Sequence, residues 1–166
     1  ELNTITAKTS ANVTATAVAA VSGTATQLTT LAGNEGTGAG EIDLSATIAV
    51  TVNNGTTTAA QLNTINGLST ANITATAVAA ISGTAAQLNT LVGNEGTGAN
   101  EIDLAANVAL TVTTGTTTAT ILNTLNSATT GLVTATAITG ITGLAADLNT
   151  LVGNEGTSGD KVDLAT

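Results

Sequence analysis

Nine of the eleven acidic side chains fall in three copies of one glycine-rich segment: "GNEGTGAGEIDL" from Gly33, "GNEGTGANEIDL" from Gly93 and "GNEGTSGDKVDL" from Gly153. The first copy carries Glu35, Glu41 and Asp43, the second Glu95, Glu101 and Asp103, the third Glu155, Asp160 and Asp163. Calcium takes six to eight oxygen ligands. Three carboxylates, Asn94 and Asn100 and the loop carbonyls of one copy could supply them, so these nine residues are the candidate metal ligands and calcium the one candidate cofactor.

The plainer alternative is a turn, in which Gly93 ends a helix in the left-handed conformation and the carboxylates keep the surface soluble. The third copy favours it, because Lys161 stands where Glu101 stood and Asp160 where Asn100 stood, so the ligand set is not kept. The segment is also distantly similar to the glycine-rich nonapeptide that binds calcium in parallel β-rolls, without its Gly-Gly start or Asp spacing. Two other arrays invite a function. The pairs Thr14 and Thr16, Thr74 and Thr76, Thr134 and Thr136 resemble the Thr-x-Thr rows of ice-binding proteins, although Thr is an ordinary outward strand residue. Asn3, Asn63, Asn89, Asn123 and Asn149 of the "LNT" motif suit a structural ladder that satisfies backbone groups between turns, interrupted at Thr29.

Catalysis finds few materials. The chain has no His, Cys, Met, Trp, Tyr, Phe or Pro, and its carboxylates recur along the sequence instead of converging. Two-carboxylate glycoside hydrolysis is the one formal route left, and the expectation is a protein that is not an enzyme. With a net charge of −9 and Lys8 and Lys161 as the only cations, nucleic acid and anionic membrane surfaces are excluded as partners. No apolar run approaches the ~18 residues of a membrane span. No signal peptide is visible. The chain begins at Glu1 and stops within a pattern, which suggests a fragment of a longer array.

What must position these residues is a tandem repeat. "LAGNEGTG", "LVGNEGTG" and "LVGNEGTS" begin at Leu31, Leu91 and Leu151, and every other motif keeps the same 60-residue spacing. The repeats are therefore residues 1–60, 61–120 and a truncated 121–166. Within each, the Leu of "LNT" or its equivalent recurs at Leu2, Leu28, Leu62, Leu88, Leu122 and Leu148, in alternating steps of 26 and 34. Thr24 with Gln27, Thr58 with Gln61 and Thr84 with Gln87 have the spacing of capping boxes and predict two-turn helices. Ile102, Leu104, Ala106, Val108, Leu110 and Val112 alternate with polar or small residues, as Ile42 to Val52 do in the first repeat, and predict a strand. Eleven extended residues would run ~35 Å, so a bend is expected near Ala105–Asn107. "NITATA" predicts a shorter strand with Ile73, Ala75 and Ala77 inward.

The fold expected from this pattern is mainly β, a continuous β-solenoid of 26- and 34-residue coils, each with a short two-turn helix. One conflict is built in. Strands stack at about 4.8 Å and helices at about 8–10 Å, so the helices must splay or alternate sides.

The stretches "LNTITAKTSANVTATAV", "SGTATQLTTL" and "LNTLNSATTGLVTATAITGITGLAADLNTL" resemble repeats of very large secreted or cell-surface proteins of marine cyanobacteria and related bacteria. The resemblance covers the 26-residue halves better than the 34-residue halves. It implies a repetitive extracellular scaffold, often accompanied by calcium-binding repeats, with no catalytic residues to carry over. The expected function is a structural segment of a bacterial secreted or cell-surface scaffold that self-associates through stacked coils, end to end, into a fibre or layer. A calcium-binding adhesin stalk and an ice-binding surface are the alternatives.

Overall fold

The computed structural model describes residues 1–53 and 55–164. The first repeat forms α1 (Leu2–Thr6), β1 (Val13–Ala15), β2 (Ala20–Gly23), α2 (Ala25–Gly33), β3 (Ile42–Leu44), β4 (Ala49–Val52) and β5 (Gly55–Thr58). The second forms α3 (Ala59–Asn66), β6 (Ile73–Ala75), β7 (Val78–Gly83), α4 (Ala85–Gly93), β8 (Ile102–Leu104), β9 (Ala109–Val112) and β10 (Gly115–Thr118). The third forms α5 (Ala119–Ser127), β11 (Val133–Ala135), β12 (Ile138–Thr142), α6 (Ala145–Gly153) and β13 (Val162–Leu164).

Local chemistry accounts for the helix starts. Thr24, Thr58 and Thr84 each accept from the backbone N–H three residues on, while Gln27, Gln61 and Gln87 reach back to the cap backbone, completing the expected boxes. Thr118 caps α5 alone, since Ile121 replaces the Gln, and Leu144 offers α6 no side-chain acceptor. Helices of eight or nine residues are marginal in water, so packing must hold them. Leu62, Ile65, Leu88, Leu91, Leu122 and Leu125 are fully buried, and α1 to α6 lie in a row, each against the next.

Every strand pair is parallel. A five-stranded sheet runs in the spatial order β5-β7-β9-β11-β13 and a four-stranded sheet in the order β2-β4-β6-β8, with β1-β3 and β10-β12 as two-stranded pieces. In the larger sheet Thr57, Ile81, Leu110, Val133 and Val162 are aligned across the strands and buried. In the smaller one Val21, Val50, Ile73 and Ile102 are aligned in the same way. A shift of one repeat carries the second set onto Ile81, Leu110, Val133 and Val162. One continuous core joins the sheets to the helices.

The expected mainly β solenoid is not what forms. Helix takes 30% of the chain and strand 32%, making an α/β fold with parallel sheets. Two causes are visible, one of them local. The eleven-residue alternating run splits into β8 and β9, because Val108 N–H bonds Ala105 O at 3.0 Å and closes a turn. Ala106 and Ala77, expected inward, are exposed as a result of this turn and its counterpart after β6. The larger cause is register. Two pairing steps advance the chain from Ile81 to Val133, 52 residues, whereas the repeat is 60. Pairing thus slips by eight residues per repeat, and successive strands of a sheet come from progressively earlier parts of their repeats. Among the described residues no sheet extends beyond five strands.

Candidate functional site

The three acidic glycine segments connect α2 to β3, α4 to β8 and α6 to β13. Their first task is to end the helices, but not as the glycines suggested. Gly93 lies inside α4 without a left-handed φ, and the cap is Asn94, whose N–H bonds Leu91 O at 3.0 Å.

The chain then doubles back beside the strand that follows. Ile102 N–H donates to Asn94 O at 2.9 Å and Gly96 N–H to Ile102 O at 3.1 Å, forming a parallel bridge between Glu95 and Ile102. Ile42 and Val162 make the same bonds with Asn34 and Gly36, and with Asn154 and Gly156. β3, β8 and β13 are each the last strand of their sheet. An open edge offers unpaired N–H and C=O groups to another chain, and each loop occupies part of such an edge with its own backbone.

Side chains hold the loop in that position. Glu101 Oε2 accepts from Gly98 N–H at 2.6 Å, and Glu41 from Gly38 N–H at 2.6 Å. A side chain at Gly96 or Gly98 would collide with the Glu101 carboxylate, so these glycines leave room for it. From the preceding half-repeat, Asn72 Nδ2 donates to Gly96 O at 2.9 Å, Gly98 O at 3.3 Å and Glu101 O at 3.2 Å. Asn12 does the same for Gly36, Gly38 and Glu41. Much of the loop's oxygen capacity is thereby turned toward the protein. Asn100 and Asp160, at φ 60° and 62°, occupy the left-handed corner that Gly40 takes at 77°. Gly, Asn and Asp are the types that adopt it readily. Asp160 therefore meets a backbone requirement at this corner.

The third copy lacks both anchors. Leu132 stands in the place of Asn72, and Lys161 in that of Glu101. The Lys161 stem covers Gly156, and its Nζ donates to Gly153 O at 3.3 Å, where a cation complements the carbonyl end of α6.

Of the remaining candidate ligands, Asp43, Asp103 and Asp163 sit mid-strand opposite Thr14, Thr74 and Thr134. Glu35, Glu95 and Glu155 are exposed on the bridge itself. Among the described residues no three acidic side chains come together as a metal group.

The other arrays divide. Thr14, Thr74 and Thr134 lie on strands, but Thr16, Thr76 and Thr136 fall in the turns that follow, so the pairs do not share one flat row. The Asn motif links helix to helix: Asn3, Asn63 and Asn123 donate from Nδ2 to Gln27 O, Gln87 O and Asp147 O at 3.0–3.1 Å. Asn12 and Asn72 were not singled out from the sequence, although the joint change to Leu132 and Lys161 marks them as partners of the loop.

A concavity of about 540 Å³ lies between α1, β2 and α2 and is lined in part by Leu2, Ile5, Val21, Leu28 and Leu31. Glu1 is its one titratable side chain among the described residues. No helix among those residues is long and apolar enough to cross a membrane. Comparison with known protein families, curated proteins and solved structures returned no match.

Proposed function

We propose that this chain is a non-enzymatic structural segment of a bacterial secreted or cell-surface scaffold, and that neighbouring copies associate end to end through the faces their repeats use internally. The observation that carries this reading is the contrast between inner and outer copies of one position. Ile5 on α1 is 48% exposed, while its equivalents Ile65 and Leu125 are fully buried. At the other end of the helix row Val152 is 72% exposed, whereas Val92, one repeat earlier, is partly buried against the core. Inside the chain α3 packs on α2 and α5 on α4. A second copy can place α1 on α6 in the same way.

Sedimentation velocity over a wide concentration range tests this. The expected result is a mass that grows with concentration, and loss of that growth in both Ile5→Lys and Val152→Lys. A strictly monomeric protein at its highest soluble concentration would overturn the assembly reading.

A further inference from the structure

We draw no further inference here: the strongest candidate, the concavity of about 280 Å³ between the first turn of α2 and β5 lined in part by Thr24, Thr26, Thr56 and Thr57, rests on a helix N-terminus alone, because the buried hydroxyl of Thr57 already donates to Gln61 Oε1 at 3.1 Å and points to no ligand.

Discussion

Asn72→Ala tests whether the second acidic loop is held on the edge of β8 by a side chain from the preceding half-repeat. The amide nitrogen has two hydrogens and three carbonyls in reach, at 2.9, 3.2 and 3.3 Å. Two net hydrogen bonds are therefore lost, each worth about 1 kcal/mol. Alanine restores nothing in exchange, so the loop should open more easily by about 2 kcal/mol, roughly a thirtyfold rise in its opening constant. Native-state amide exchange resolved by residue is the suitable assay, because local opening is read independently of global unfolding. The amides of Gly96 and Ile102, which close the bridge, should exchange roughly thirtyfold faster. Those of Ile81 and Leu110 in the five-stranded sheet should hold their rates. The unaltered protein contains its own control: Gly156 and Val162, in the copy where Leu132 replaces the Asn, should already exchange faster than Gly36 and Ile42. The reasoning fails if Ile102 protection is unchanged in the variant, or if the loss spreads evenly through the core.

Three further outcomes follow from the same structure. Leu88→Ala, at a fully buried position between α4 and the sheets, should cost about 2–5 kcal/mol in a urea titration followed by circular dichroism. Leu144→Thr gives α6 the cap acceptor it lacks while Asp147 already sits three residues on, and should raise stability by about 1 kcal/mol, with no gain contradicting the cap assignment. Asn100→Val places a branched residue at φ 60° and should destabilise by roughly 1–2 kcal/mol, whereas Asn100→Gly should not; equal melting of the two variants would refute the left-handed requirement.

The parts of the fold legible in the sequence are those set by neighbouring residues. Thr84 and Gln87 can form a capping box only with each other, and Leu88 and Leu91 share a face whatever lies opposite, so α4 could be placed before any partner was known. The alternation from Ile102 to Val112 likewise reveals burial at Ile102, Leu104, Val108, Leu110 and Val112. It does not reveal where the strand breaks into its two pieces, beyond the length argument that a bend must come near Ala105. Register was hidden for a different reason. The 60-residue period is a property of the covalent chain, and the 52-residue pairing step from Ile81 to Val133 is a property of the folded one. Identical repeats invite the assumption that like pairs with like. Here Ile81 pairs with Leu110, and Leu110 with Val133, none of them one repeat apart.

That slip also gives the acidic loops a physical reason to exist. A sheet that drifts along its repeats must terminate, and it terminates at β3, β8 and β13, each of which would expose backbone groups if nothing covered it. The residue types that suggested a cation site suit a chain that must turn back and cover that edge. Glycines admit the carboxylate of Glu101 over Gly96, Asn100 takes the left-handed corner, and Asn34, Asn94 and Asn154 bond the strand through their backbone carbonyls. Calcium binding and edge protection call for similar residues because both require a tight loop with inward-facing oxygens. They differ in what satisfies those oxygens. In this chain Gly96 O, Gly98 O and Glu101 O receive the amide of Asn72, and Glu101 Oε2 receives Gly98 N–H. Melting the unaltered protein and Asn72→Ala with and without millimolar calcium therefore separates the two roles: neither midpoint should move with calcium if the loop exists to cover β8. A midpoint raised by calcium only in the variant would show that Asn72 occupies the place of an ion.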